Sequence, residues 1–150
     1  MRRLVVANGP NLNTLGIHGG QTLADIQAQM DVRAEELGLK VSFFQSNHEG
    51  ALIDRLQAEA PASVGLIINP AGLAHYSIAL YDCLRTLSVP IVEVHLTNVF
   101  ATNVFAANVF GREEAFRANS VTAPAARGVI SGLGGRGYVL AMEYLNGLDE

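Results

Sequence analysis

The chain has one cysteine, Cys83, in 150 residues. A lone cysteine excludes an internal disulfide framework and any cysteine-rich zinc site. Charge is scarce as well. Ten Lys+Arg against 14 Asp+Glu give a net charge of −4, and charged residues make up 16%, below the ~25% usual in soluble domains. No Lys/Arg cluster is present to track phosphates, so no nucleic-acid partner is expected. No apolar run approaches the ~18 residues of a membrane span. The opening MRRLVVANGPN breaks off at Gly-Pro, too early for a signal peptide, which leaves the cytoplasm as the expected compartment. There is no Walker-type loop and no Gly-x-Ser-x-Gly elbow.

What is present is a chain of 49% hydrophobic residues, a length that suits one domain spanning residues 1–150. With so little charge, apolar surface is left uncovered, and burial between subunits of a homo-oligomer is expected. Short β-branched runs alternate with helical patterns. Strands are predicted at Leu4–Ala7, Val41–Phe44, Val64–Ile68, Ile91–Val94 and Gly128–Ile130. Helices are predicted at Thr22–Leu37, Glu49–Ala58, Ser77–Leu87, Glu113–Ala118 and Arg136–Leu148. Most of the strands are apolar on both faces, as parallel strands between helix layers are. Ser46-Asn47-His48-Glu49 reads as a capping box, and Thr22 with Asp25 gives a similar, fainter pattern. Five β–α units predict an α/β, flavodoxin-like, doubly wound parallel sheet of five strands with helices on both faces.

Residues 98–112 read NVFAT, NVFAA, NVFGR, three five-residue units in tandem. A period of five matches neither helix nor strand. The stretch is either a duplicated loop segment or a binding surface, and Phe100, Phe105 and Phe110 within it want cover.

Open parallel sheets bind ligands beyond the carboxyl ends of their strands, and polar residues gather at those positions. The first strand runs into Asn8-Gly9-Pro10-Asn11-Leu12-Asn13, the second into Gln45-Ser46-Asn47-His48, the third into Asn69-Pro70-Ala71-Gly72-Leu73-Ala74-His75 and the fourth into Glu93-Val94-His95-Leu96-Thr97-Asn98. Glu93 and His95, two apart in a strand, project from one face. A carboxylate there needs a partner, and beside an imidazole it favours the protonated ring and fixes its orientation, as a general acid requires. The same pair equally suits a structural tie between strand and helix. His75 is either functional or a cap for the helix near Ser77, and Asn8, Asn11 and Asn69 also suit turns. Gly132 to Gly137 match G-x-G-x-x-G, but in the last β–α unit no further strand can present an acidic residue to a ribose, so close helix–sheet packing is expected there. The histidines at 18, 48, 75 and 95 have no short metal-ligand spacing, and no metal is expected.

Taken together, NGPNLN, FFQSNHEG, INPAGLAHYSIALYD, IVEVHLTN and GVISGLGGRGY resemble a type II dehydroquinase, in order and over nearly the whole chain. The resemblance implies a hydro-lyase that converts 3-dehydroquinate to 3-dehydroshikimate, in the shikimate pathway or in quinate breakdown. The reaction is an anti elimination of water through an enolate, without metal, cofactor or Schiff-base lysine. It also implies a trimer-based, dodecameric assembly. A lid tyrosine removes the C2 proton with help from a lid arginine, and a histidine protonates the departing hydroxyl. By the same resemblance His95 is the general acid and Glu93 orients it. Asn69 and His75 contact substrate, and Asn11 helps hold a water beside the enolate. Leu96 and Thr97 (usually Ser in the family) contact the substrate carboxylate, and Asp82 reaches into a neighbouring subunit's site. Arg112 and Arg117 match the arginines of an R-E-E-F-R motif that here reads R-E-E-A-F-R.

The lid departs most from the family. Leu15-Gly16-Ile17-His18-Gly19-Gly20-Gln21 is several residues shorter and lacks both the arginine and the tyrosine. His18 falls at the tyrosine position, either as a substitute base or as an idle loop residue. The lyase acts on dehydroquinate or on a related hydroxylated ring acid, and two further readings stand beside it: a homologue that binds a small carboxylate or serves assembly, and a flavin or nucleotide binder, which rests on fold analogy alone.

Overall fold

A computed structural model describes residues 1–100 and 115–149. Five parallel strands, β1 (Arg2–Asn8), β2 (Leu39–Gln45), β3 (Gly65–Asn69), β4 (Ile91–His95) and β5 (Gly128–Ser131), form one sheet in the order β2-β1-β3-β4-β5. Leu4 pairs with Val41 on one side and Gly65 on the other, Leu66 pairs with Ile91, and Val92 pairs with Gly128. Among the described residues four helices cover the sheet: α1 (Leu23–Leu37), α2 (Glu49–Glu59), α3 (Ile78–Thr86) and α4 (Arg136–Asn146). This is the flavodoxin-like order, in which the chain leaves β1 to one side and returns at β3 on the other.

Every residue of β3 and β4 is buried, because helices pack on both faces. Alternate residues of β1 serve different layers, as a two-residue period requires. Leu4 and Val6 join α1 and α4 through Met30, Tyr138 and Met142, while Val5 and Ala7 join α2 and α3 through Leu52, Leu80 and Leu84. The β5 strand pairs only with β4 and is half-buried to exposed along its length. The Gly-rich run does bring helix and sheet close at the first turn of α4: a Cβ on Gly137 would lie 3.2 Å from Ile130 Cγ2 and 3.3 Å from Val94 Cγ1.

Several local expectations change. The box at Ser46 does not form. The helix starts at Glu49, so His48 is the N-cap and donates no cap through its side chain. Ser46 Oγ instead accepts from the His48 backbone N–H at 3.0 Å, and the Glu49 carboxylate takes the Ser77 hydroxyl at 2.5 Å. The fainter signal is the real box. Asp25 N–H donates to Thr22 Oγ1 at 3.1 Å and Thr22 N–H to the Asp25 carboxylate at 2.9 Å. Of the helix expected over Glu113–Ala118, residues 115–118 are a 3-10 turn, and the rest lies outside the described residues. So do the second and third repeat units, with Phe105, Phe110 and Arg112. The final helix ends at Asn146, two residues early, and continues as a 3-10 turn over Gly147–Asp149.

Candidate active site

A cavity of about 510 Å³ opens beyond the carboxyl ends of β1, β3 and β4, at the switch point where such sheets hold ligands. Asn11, Asn69, His75, His95, Leu96, Thr97 and Arg117 all line it, with apolar walls from Leu12, Leu15 and Val99.

Glu93 is fully buried in β4, and a carboxylate there is tolerable only because its oxygens are met. His95 Nε2 lies 2.8 Å from Glu93 Oε2. Ser120 Oγ donates to the same oxygen at 2.8 Å, and Thr122 Oγ1 donates to Oε1. Burial alone would raise the pKa of Glu93, but hydrogen bonds from His95, Thr122 and Ser120 outweigh it and hold the carboxyl below its ordinary value. With Nε2 turned to the carboxylate, proton exchange with a ligand falls to Nδ1. His95 is therefore oriented, charged-partnered and on the cavity wall.

The cavity floor is a second buried network. Asn69 Nδ2 donates to the Tyr138 hydroxyl at 2.9 Å, the hydroxyl donates to Asn8 Oδ1 at 2.7 Å, and Asn8 Nδ2 donates to the Phe44 carbonyl at 3.0 Å. Asn69 Oδ1 accepts the Ala71 N–H at 3.1 Å and so holds Ala71 at a positive φ of 53°. One Asn69 N–H remains for a ligand. Burial pushes the Tyr138 phenol well above its ordinary value, so it stays protonated and serves as a brace.

His75 does not cap α3; Ser77 does, accepting the Leu80 N–H at 3.0 Å. The His75 Nδ1 faces the Asn119 carbonyl at 3.0 Å, and its ring stands edge-on to Phe116. A carbonyl only accepts, so Nδ1 carries a hydrogen and the other ring nitrogen, Nε2, is left for a ligand. Asn11 holds a left-handed backbone, φ 69°, and its N–H donates to Asn47 Oδ1 at 2.9 Å, a conformation Asn tolerates. The additional Ala of R-E-E-A-F-R does not remove Arg117 from the wall. Its guanidinium lies 5.1 Å from the Phe116 ring centroid.

The remaining candidates lie elsewhere. His18 is exposed on the Gly16–Gly20 loop and is not part of the cavity lining. Asp82 is exposed on α3, away from this chain's cavity. Among the described residues no His, Cys, Asp or Glu cluster is suited to a metal ion. The sequence points to Asn8 only as a polar strand-end residue that also suits a turn, and it does not point to Ser120, Thr122 or Tyr138 as site residues. Ser120 leads into a bend that holds Thr122 in the right-handed helical region, so their i, i+2 spacing offers no strand face to read.

Comparison with known proteins agrees with the fold. The family Dehydroquinase class II matches residues 2–146. A 3-dehydroquinate dehydratase of Sinorhizobium medicae is 47% identical over 152 residues, spanning 98% of this chain and 95% of the relative. One from Bacillus subtilis is 45% identical over 150 residues, with 97% and 94% covered. The crystal structure of a type II dehydroquinase from Butyrivibrio crossotus superposes with a TM-score of 0.85 at 36% identity, over 97% of each chain. A chain with this sheet order, this buried Glu–His pair and this span of similarity belongs to the class II dehydroquinase family.

Proposed function

We propose that the chain dehydrates 3-dehydroquinate to 3-dehydroshikimate by anti elimination through an enolate. The observation that carries this reading is the Glu93–His95 pair at the wall of a cavity also lined by Asn69, His75 and Thr97. The ring of His95, protonated beside an ionised Glu93, delivers its proton to the departing hydroxyl and leaves as neutral imidazole. Asn69 and His75 offer an N–H and a ring nitrogen to substrate hydroxyls, Leu96 and Thr97 take the substrate carboxylate at the end of β4, and Arg117 and Arg112 supply positive charge. Asn11 holds the water beside the enolate. Removal of the C2 proton needs a base within hydrogen-bond reach, and His18 is the candidate in the lid position. It must enter the cavity from a loop whose Gly16, Gly19 and Gly20 all have positive φ.

The assembly proposed is a trimer-based homo-oligomer, dodecameric as the resemblance implies, in the cytoplasm. Exposed Tyr76, Ile78 and Phe116 and an apolar groove along β5 at Val129 and Tyr144 support burial between subunits. Asp82, outside its own cavity, is the residue such a neighbour would supply. No described helix is long and apolar enough to cross a membrane.

The deciding experiment is dehydroquinate turnover followed at the enone absorbance. Wild type should turn over, and His18→Ala should lower kcat strongly with a smaller change in KM. Turnover that His18→Ala leaves unchanged eliminates the substitute base. The position of His18 outside the cavity favours a second reading, a homologue that binds a small carboxylate without elimination. Undetectable turnover together with dehydroquinate binding would establish it.

A further inference from the structure

Four hydrogen-bonding groups converge below the cavity wall. Glu93 Oε2 takes both His95 Nε2 and Ser120 Oγ at 2.8 Å, and Glu93 Oε1 takes Thr122 Oγ1. Glu93 and Thr122 are fully buried, so no water replaces these donors. The two hydroxyls are themselves placed firmly. Ser120 Oγ accepts the Ala123 N–H at 3.1 Å, and Val121 N–H donates to the Ala74 carbonyl at 2.7 Å. The Asn119 carbonyl, one residue earlier, receives Nδ1 of His75. Residues 119–122 thus hold the supports of both imidazoles that line the cavity.

We propose that Ser120 and Thr122 are positioning residues for the Glu93–His95 pair: they fix the carboxylate plane and set how tightly the pair holds its proton. A carboxylate oxygen that receives a hydroxyl hydrogen carries less charge toward the imidazolium than one left bare. With both hydroxyls in place, Glu93 stays ionised yet releases the His95 proton readily, as delivery to a leaving hydroxyl requires. Few other charges bear on the balance among the described residues. His75 and Arg117 share the cavity wall with His95. From the helices on Glu93's face, α3 brings the Cys83 thiol, which burial keeps protonated, and α2 brings Leu52 and Leu56.

The test reads His95 directly and does not depend on activity. The His95 ring is titrated by NMR in the full-length protein, its resonance assigned by its loss in His95→Gln. Thr122→Val removes one donor while keeping the side-chain shape. The pair should then keep its proton to higher pH, raising the His95 midpoint by about one pH unit, as befits the loss of one hydrogen bond to a charged group. Ser120→Ala should move it in the same direction, and carries the test alone where Thr122→Val does not fold. Thr122→Ser should restore the wild-type midpoint. An unchanged or lowered midpoint in both variants overturns the proposal, even with a lower melting temperature, since the hydroxyls would then serve stability alone. Failure of Thr122→Ser to restore the midpoint also overturns it. The inference leans on the dehydratase reading only for its kinetic arm, in which the alkaline limb of kcat/KM moves with the NMR midpoint. A shifted midpoint in a protein without turnover refutes that reading and supports the clamp.

Discussion

Replacing Tyr138 by Phe removes one oxygen from the least accessible part of the site. The ring and its packing against α1 and the sheet stay, so little apolar burial is lost. What goes is the donor to Asn8 Oδ1 at 2.7 Å and the acceptor of Asn69 Nδ2 at 2.9 Å. Both asparagines are essentially inaccessible to water, so each keeps a buried polar atom without a partner, at about 1–3 kcal/mol apiece. The two losses share one hydroxyl and do not add fully, which gives an expected cost of about 2–4 kcal/mol. Against the 5–15 kcal/mol typical of a folded domain, that is a large fraction. Equilibrium urea unfolding at fixed subunit concentration is the assay, because self-association otherwise moves the midpoint. The midpoint should fall by about 1–2 M, at the usual m of about 1–3 kcal/mol/M, with m itself unchanged. Adding Asn69→Ala to Tyr138→Phe should cost less than the two changes taken separately. A loss below about 0.5 kcal/mol would refute the reasoning, since it would mean the asparagine atoms find other partners.

Two more predictions concern β4. His95→Ala should remove most dehydroquinate turnover without unfolding the protein, while Glu93→Gln should remove less, because it weakens orientation and proton affinity but keeps the acid. Circular dichroism checks the fold, and equal turnover in wild type and His95→Ala shows that His95 is not the acid. The second concerns pH. The folded-state pKa of Glu93 is lowered, so its contribution to stability is fully present above the unfolded carboxyl value, 4.5, and is lost as pH falls through the lower folded value. Glu93→Gln should therefore flatten the acid side of the stability profile relative to wild type, and an unchanged slope there would count against the lowered pKa.

The sheet was legible because its signals are local. Gly65–Asn69 and Ile91–His95 are short apolar runs between turn residues, and strands buried on both faces show no alternation to misread. Glu93 and His95 could be paired on paper because a strand's two-residue period puts them on one side. Tyr138 could not. On α4 it follows the apolar helical pattern and reads as core, and its two partners lie 69 and 130 residues away along the chain. Ser120 and Thr122 were hidden for the same reason, since their shared acceptor belongs to a strand more than two dozen residues earlier. At Ser46 the helix start at Glu49 was right and the capping box was wrong, because the cap position falls on His48, two residues after Ser46. His18 shows the converse difficulty. Its place in the chain suggests a role that its exposed position on the loop does not itself supply.

The strand order has a further consequence for how the chain must come into being. Among the described residues no strand pairs with a neighbour joined by a tight hairpin: Arg2 meets Leu39, Leu4 meets Gly65, and Val92 meets Gly128. During synthesis, at about 5–20 residues per second, the interior strand Arg2–Asn8 waits roughly 3–12 s for its second partner, β3, to leave the ribosome. Through that interval its apolar residues, buried on both faces in the finished sheet, have at most β2, α1 and α2 to cover them. The nascent chain is thus most exposed to aggregation before β3 arrives, and the helices, which need only local contacts, are the elements able to form first.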